Sequence, residues 1–250
     1  MNTLRARFAN DIISEFLPPS RPSKKVLILC SGMPSVPSKK TVMEFFAKKG
    51  YWVFFPRYRG SWESRGSFLK ISPHQDILDI ISQLPQGFAS IGRDNTHYTI
   101  EAKSITLIAS SFGGAAALLS ATDPRVTKII AFSPVVDWTA KSKKEPLDSL
   151  FEFVKEGFGE GYRVAKEDWE KLKSGNFYNP MEAAGNIPGN KILILHAKDD
   201  KVVQYKTVER FAKETKANAV FLKRGGHFSL SECIESRFQK RITKFLKAKL

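Results

Sequence analysis

One stretch of the sequence, residues 103–119, restricts the possible folds more than any other. Within it the β-branched, apolar run Ile105–Ile108 predicts a buried strand, and the alanine- and leucine-rich run that follows predicts a helix. Ser111 lies between them, with the small residues Ala109 and Gly113 two positions to either side. A strand that turns sharply into a helix brings its flanking backbone close together, so only small residues fit there. The pattern predicts a strained turn that exposes the Ser111 hydroxyl above the sheet.

The predicted position of Ser111 suits a nucleophile. The helix that follows directs its free N–H groups and the positive end of its dipole toward the serine, where an acyl-transfer reaction builds an oxyanion. Ser110 is an alternative, but it would place Phe112 where the turn needs a small residue, so we prefer Ser111. A tight turn with an incidental serine is the other interpretation of the same residues.

Length and composition indicate one domain, residues 1–250. With 250 residues, 42% of them hydrophobic, the chain is long enough for one sizeable core. No apolar run is long enough to span a membrane, and residues 1–17 lack the features of a signal peptide. Two cysteines, Cys30 and Cys233, make no disulfide framework. These features predict a cytoplasmic protein, and they indicate no particular oligomeric state.

The chain is strongly basic, with 40 Lys and Arg residues against 25 Asp and Glu residues and a net charge of +15. Such a charge attracts nucleic acid, anionic membranes or acidic substrates. The basic residues are spread along the chain, however, and their densest run, residues 237–249, alternates with apolar residues at helical spacing. We interpret this run as an amphipathic helix with a solvated basic face, and we expect no specific nucleic-acid partner.

Apolar strands alternate with amphipathic helices along the rest of the chain, which predicts a mostly parallel sheet with helices on both sides. The predicted strands are Val26–Cys30, Trp52–Phe55, Ile105–Ile108, Val126–Phe132, Lys191–His196 and Ala219–Leu222. The predicted helices are Leu4–Leu17, Thr41–Lys49, His74–Leu84, the helix after Ser111, and Phe238–Leu250. Residues 139–173 are long and aromatic for a simple connection, so we predict a helical cap insertion over the strand ends.

A serine nucleophile needs a base and a third group that orients the base. Of the four histidines, His227 is favoured because it lies in a glycine-rich loop after the last predicted strand. The acid should follow the preceding strand, where Asp200 is favoured, Asp199 is the reserve and Asp137 a distant third. The order Ser111, Asp200, His227 is that of α/β-hydrolases.

Several further segments resemble the prolyl oligopeptidase and dienelactone hydrolase-like group of α/β-hydrolases. They are the loop Arg57–Phe68, the segment Asn179–Ile187, and the run His196–Val203, which matches H-G-x-x-D-x-x-V except that alanine replaces the glycine. The resemblance covers about residues 26–245. Two positions depart from the family pattern, because Ser31 replaces a histidine and Ala109 replaces the first glycine of G-x-S-x-G.

The resemblance implies an α/β-hydrolase fold and a serine hydrolase that needs no metal or cofactor. It places the acid on Asp200 and the oxyanion-hole N–H groups on Met33 and Phe112. The expected substrate is a small-molecule ester, thioester or amide, for which Arg57, Arg59 and Arg65 would favour an anionic group. The alternatives are a peptidase of the prolyl oligopeptidase type and a non-catalytic binding protein that uses the basic surface.

Overall fold

The computed structural model describes residues 3–92, 95–140, 142 and 144–248, with helices on both faces of one eight-stranded sheet. The strands are β1 (Leu4–Phe8), β2 (Ile12–Leu17), β3 (Lys25–Cys30), β4 (Trp52–Pro56), β5 (Phe88–Ala89), β6 (His97–Tyr98), β7 (Ser104–Ser110), β8 (Val126–Phe132), β9 (Ile192–Ala197) and β10 (Asn218–Leu222). The α-helices are α1 (Lys40–Lys48), α2 (His74–Gln83), α3 (Phe112–Leu119), α4 (Leu147–Phe158), α5 (Lys166–Glu170), α6 (Tyr205–Thr215) and α7 (Ser236–Lys247).

The sheet has the strand order β1-β2-β4-β3-β7-β8-β9-β10. Only β2 runs antiparallel to its neighbours β1 and β4, and every other pairing in this sheet is parallel. The short strands β5 and β6 form a separate antiparallel ladder. The predicted mostly parallel sheet with flanking helices is therefore confirmed.

The central strands are apolar because both of their faces are covered. Strand β7 is buried from Ile105 to Ser110, and β9 is buried along its whole length. Helices α1 and α7 cover one face of the sheet, where Phe46 and Phe238 enter the core, and α2, α3 and α6 cover the other. Parallel central strands bring their carboxyl ends to one edge, which is where the predicted site residues follow them.

The predicted N-terminal helix Leu4–Leu17 is wrong, because these residues form the hairpin of β1 and β2. A spacing of four residues between apolar positions fits a strand of period two as well as a helix. Phe8 and Phe16 lie on one face of the hairpin and pack against Phe54 of β4. The chain reverses at Ala9 and Asn10, whose φ angles of 47° and 64° suit a tight hairpin turn.

The other predicted elements are present with small changes at their ends. The last helix begins two residues earlier than predicted and ends at Lys247, and the predicted end, Leu250, lies outside the described residues. His97 was expected in a polar loop but belongs to β6. Residues 139–173 contain α4 and α5, and Trp169 of α5 is fully buried. The division into a domain and a cap stays a prediction.

Among the described residues, no helix has both the length and the apolar character needed to cross a membrane.

Candidate active site

Ser111 occupies a sharp turn between β7 and α3, with φ of 51° and ψ of −122°. A positive φ is costly for a residue with a side chain, and neighbouring contacts maintain it here. The Ser111 N–H donates to the Phe132 carbonyl at 3.1 Å, and the Ser111 carbonyl accepts the N–H groups of Gly114 and Val135. The serine is partly exposed at the end of the strand and lines a cavity there.

Gly113 shows why the turn needs small residues. A Cβ atom at Gly113 would lie 2.2 Å from the Cys30 carbonyl oxygen and 2.4 Å from that of Ser31. The end of β3 therefore packs directly on the backbone of the turn. A Cβ atom at Gly32 would lie 3.1 Å from the Ser111 Cβ atom, so the loop after β3 passes beside the serine.

Met33 and Phe112 lie next to Ser111, and all three residues line the same cavity. Among the residues that the structure describes, their N–H groups donate to no protein acceptor. Phe112 is the first residue of α3, so its N–H has no partner within the helix. Two unpaired backbone donors beside a serine are the arrangement that an oxyanion requires.

Long-range hydrogen bonds fix the two segments that carry these donors. The Tyr178 hydroxyl donates to the Phe112 carbonyl at 2.7 Å from a buried position. The loop after β3 is held at Ser35, whose N–H donates to the Tyr162 hydroxyl at 3.1 Å and whose carbonyl accepts the Trp62 indole N–H at 3.2 Å. Sequence reasoning missed these tyrosines, because no local pattern links them to residues so distant along the chain.

His227 and Asp200 are directly hydrogen-bonded. Nδ1 of His227 lies 2.8 Å from Oδ2 of Asp200, and the Asp200 side chain is fully buried. An ionised carboxylate only accepts, so Nδ1 carries the hydrogen and Nε2 of the neutral ring is left as a base. The His227 side chain remains 24% exposed, and within the described residues its ring hydrogen-bonds only to Asp200, so no hydrogen bond joins Nε2 to the Ser111 hydroxyl.

The Asp200 carboxylate is satisfied on both oxygens. Oδ1 accepts the N–H groups of Val202 and Val203 at 2.9 and 3.0 Å. Burial raises the pKa of Asp200, but the hydrogen bond and charge of His227 and the hydrogen bonds from Val203 and Ser133 outweigh it, so the pKa lies below its ordinary value. Asp200 is therefore ionised at neutral pH and can stabilise a cation on His227.

The two reserve candidates for the acid have other partners. Asp199 accepts the Gly226 N–H at 2.9 Å, which helps to shape the loop that carries His227. Asp137 accepts from the backbone and side chain of Thr139 and lies 3.3 Å from the Arg210 guanidinium.

Ser133 connects the histidine loop to the serine turn. Its hydroxyl accepts the Phe228 N–H at 3.0 Å, and Ser133 also helps to lower the pKa of the Asp200 carboxyl. Ser133 directly follows Phe132, whose carbonyl accepts the Ser111 N–H. Phe228, which follows His227, and Ser111 itself are thus hydrogen-bonded to two adjacent residues at the end of β8. Sequence reasoning missed Ser133, because nothing in the local sequence distinguishes it from an ordinary loop serine.

His196 is buried beneath the same loop. Its Nε2 lies 3.0 Å from the Val203 carbonyl oxygen, so the ring makes a local hydrogen bond rather than facing the serine turn. The other histidines lie elsewhere: His74 begins α2 and bonds to Ser72, and His97 lies in β6.

A cavity of about 560 Å³ opens beside Ser111. Its walls come from the loop after β8, from the loop before α6, and from residues 139–173, which we predicted as a cap. Most of the lining is apolar, and it includes Val136, Trp138, Leu147, Leu150 and Val203. The cavity can therefore hold an apolar group attached to the atom that Ser111 would attack.

Two of the three arginines that we expected to favour an anionic substrate form ion pairs away from the cavity. Arg57 is buried and lies within ion-pair distance of Glu15 and Glu63. Arg59 pairs with Asp11, Asp76 and Asp79. Neither residue lines the cavity beside Ser111, and neither does Arg65. Arg57 and Arg59 stabilise the hairpin and loop, and none of the three arginines lies in the cavity, so the expectation of an anionic substrate group loses its support.

No cluster of three or more metal-ligating side chains occurs within residues 3–92, 95–140, 142 and 144–248.

Comparison of the sequence with protein families gives a match to the prolyl oligopeptidase family, Peptidase_S9, over residues 37–250. The matched region includes Ser111, Asp200 and His227. No protein with a curated description matches the sequence.

Solved structures share the fold at low sequence identity. An esterase of Pyrococcus furiosus is 17% identical with a TM-score of 0.69, over 98% of this chain and 90% of the esterase. The α/β hydrolase GrgF of a Penicillium species is 15% identical with a TM-score of 0.70, over 98% and 97% of the two chains. An acylaminoacyl peptidase of Pyrococcus horikoshii is 18% identical with a TM-score of 0.64, over 98% of this chain and 40% of the peptidase. These likenesses confirm the predicted α/β-hydrolase fold.

Proposed function

The chain belongs to the prolyl oligopeptidase family, and from that premise we propose that it is a serine hydrolase of the carboxylesterase type. Its substrate would be a small ester, thioester or amide, cleaved through an acyl-enzyme on Ser111. The observation that carries this proposal is the 2.8 Å hydrogen bond between His227 and the buried Asp200, on a loop tied through Ser133 to the Ser111 turn.

The proposed reaction has two stages. Ser111 attacks the substrate carbonyl while Nε2 of His227 accepts the hydroxyl proton, and the resulting cation is stabilised by Asp200. The tetrahedral intermediate collapses to an acyl-enzyme when His227 gives that proton to the leaving group. Water, deprotonated by His227, then attacks the acyl group, and Ser111 is regenerated with its proton.

The Met33 and Phe112 N–H groups would stabilise the negative charge of each tetrahedral intermediate. Support comes from their position beside Ser111 and from their lack of partners among the described residues. Tyr178 and the Ser35 contacts keep both donors in place before substrate binds, which is what makes such donors effective.

The cavity supports an apolar acyl or aryl group as the recognised part of the substrate. Its volume of about 560 Å³ is within the range of sites that take small organic molecules, and its wall carries Trp138, Leu147 and Leu150. The proposed reaction uses only groups of this chain and water.

Peptidase activity is the second candidate. Family membership and the structural likeness to an acylaminoacyl peptidase favour it. This chain spans 40% of that peptidase's length. Turnover of aminoacyl arylamides in preference to esters of the same acyl group would identify a peptidase, and the reverse preference would identify an esterase.

Hydrolysis of a short-chain p-nitrophenyl ester tests the proposal. Replacing the nucleophile in Ser111→Ala should reduce kcat/KM by at least about a thousandfold. The neighbouring serine offers a matched control, because Ser110 is buried and Ser110→Ala removes a hydroxyl at the adjacent position. Equal activity of Ser111→Ala and wild type, or equal losses in the two variants, would contradict the assignment.

A further inference from the structure

The imidazole of His196 is fully buried, and its Nε2 lies 3.5 Å from Oδ2 of Asp200. We propose that His196 is a positioning residue, which holds the Asp200 loop so that the carboxylate meets His227. This inference rests on the proposed serine-hydrolase function. It adds to the proposed site a residue that touches neither the substrate nor the reacting atoms.

The first support for this proposal comes from the hydrogen bonds within residues 196–203. His196 Nε2 donates to the Val203 carbonyl at 3.0 Å, while the Val203 N–H donates to Oδ1 of Asp200 at 3.0 Å. The residue Val203 is therefore held on its carbonyl by the histidine and on its N–H by the aspartate. Residues 196–203 become a closed loop whose geometry fixes where the Asp200 carboxylate points.

The protonation of the ring follows from its partners. A carbonyl only accepts, so Nε2 carries a hydrogen and the neutral ring has its lone pair on Nδ1. Nδ1 is buried and has no partner among the described residues. A buried nitrogen without a partner is unfavourable for folding, so packing alone gives no reason for an imidazole here. The contact from Nε2 to Val203 is the specific contribution of this ring.

The two histidines approach Asp200 in different ways. Oδ2 of Asp200 is 2.8 Å from Nδ1 of His227 and 3.5 Å from Nε2 of His196. Burial lowers the pKa of His196, the nearby Asp200 raises it, and the neighbouring His227 lowers it further, with a net lowering. A neutral His196 leaves the Asp200 charge available to the cation that forms on His227.

Two substitutions separate the hydrogen bond from the ring. His196→Gln keeps an amide N–H that can donate to the Val203 carbonyl, whereas His196→Leu fills similar space without a donor. We expect His196→Leu to lower kcat of ester hydrolysis about tenfold, the rate equivalent of one hydrogen bond, with KM unchanged. We expect His196→Gln to stay within about threefold of wild type, since it keeps that bond.

Rates are expressed per active site titrated with a fluorophosphonate, so that an unfolded fraction of a variant does not enter kcat. The acid limb of kcat/KM should move to lower pH in His196→Leu but not in His196→Gln, because a misplaced carboxylate stabilises the His227 cation less. A role in folding alone would lower the melting temperature and leave both the titrated kcat and the acid limb unchanged, which would overturn the proposal.

A double-mutant cycle with Asp200→Asn tests whether His196 acts through Asp200. The proposal predicts that His196→Leu has little further effect on kcat once the carboxylate is gone. The same tenfold loss in both backgrounds would overturn it. If wild type neither hydrolyses the ester nor reacts with the fluorophosphonate, the proposed function fails. If wild type is active and the kcat losses of His196→Leu and Asp200→Asn multiply in the double variant, only the inference about His196 fails.

Discussion

The adjacent aspartates Asp199 and Asp200 have different hydrogen-bond partners and therefore different roles at the candidate site. The sequence favoured Asp200 because of where the following turn leads, and left Asp199 in reserve. In the structure Asp200 bonds to the His227 ring, and Asp199 bonds to the backbone of the loop that carries it. Both carboxylates thus contribute to the placement of His227. Asp200 contacts the His227 ring, and Asp199 accepts the backbone N–H of the preceding residue, Gly226.

Substituting each aspartate with asparagine should separate these roles. Asp200→Asn removes the charge that stabilises the His227 cation and should lower kcat on the order of 10³- to 10⁴-fold. Asp199→Asn keeps a side-chain carbonyl oxygen that can accept the Gly226 N–H and removes only the charge, so it should cost about tenfold or less. Steady-state ester hydrolysis measures both variants. A larger loss in Asp199→Asn than in Asp200→Asn would reverse the assignment of the acid.

The lowered pKa of His196 also leads to a prediction of how the stability of the protein depends on pH. Burial is the main cause of its lowered pKa, so the folded state binds a proton less readily than the unfolded state, where the ordinary value is 6.5. Below about pH 6.5 the unfolded state takes up the proton first, and wild type loses stability as the pH falls. His196→Gln lacks this group. Thermal unfolding at several pH values should show its stability falling less steeply than that of wild type between about pH 6.5 and 5, and parallel curves would contradict the prediction.

At the scale of elements, the sequence predicted the central strands well because their apolar runs are long and bounded by clear turns. The prediction failed at Leu4–Leu17, where apolar residues four positions apart fit a strand as well as a helix. Only the pairing of β2 with β4 decides between the two. The hydrogen bonds of Ser133, Tyr162 and Tyr178 could not be predicted from the sequence either, because they join residues that are distant along the chain.

The contact between β3 and α3 gives a direct test of the serine turn. Gly113→Ala would place a methyl group 2.2 Å from the Cys30 carbonyl oxygen, and neither backbone can move without disturbing the sheet. We expect a loss of about 3 kcal/mol or more in the free energy of unfolding, the upper end for an overpacked core. Urea denaturation measures it.

Gly185→Ala is the matched control, because a Cβ atom there would meet nothing within 4 Å and the backbone has no positive φ. It should stay within about 0.5 kcal/mol of wild type. Equal stability of the two variants would contradict the close packing of the turn.

At the scale of the whole molecule, residues 139–173 share a core with the sheet. Leu150, Val154 and Trp169 belong to the same buried cluster as Leu107 of β7 and Ile129 of β8. We therefore expect this segment to unfold together with the sheet. Calorimetry should give one transition with equal calorimetric and van't Hoff enthalpies, whereas two separate transitions would show that the segment is an independent unit.

Covalent labelling checks the assignment of Ser111 as the nucleophile, with His227 and Asp200 as its partners. Treating wild type, Ser111→Ala and Ser110→Ala with a fluorophosphonate, followed by peptide mapping, locates any adduct. We expect one adduct on Ser111 in wild type and in Ser110→Ala, and none in Ser111→Ala. An adduct formed at the wild-type rate in Ser111→Ala, or mapped to any other residue in wild type, would contradict it.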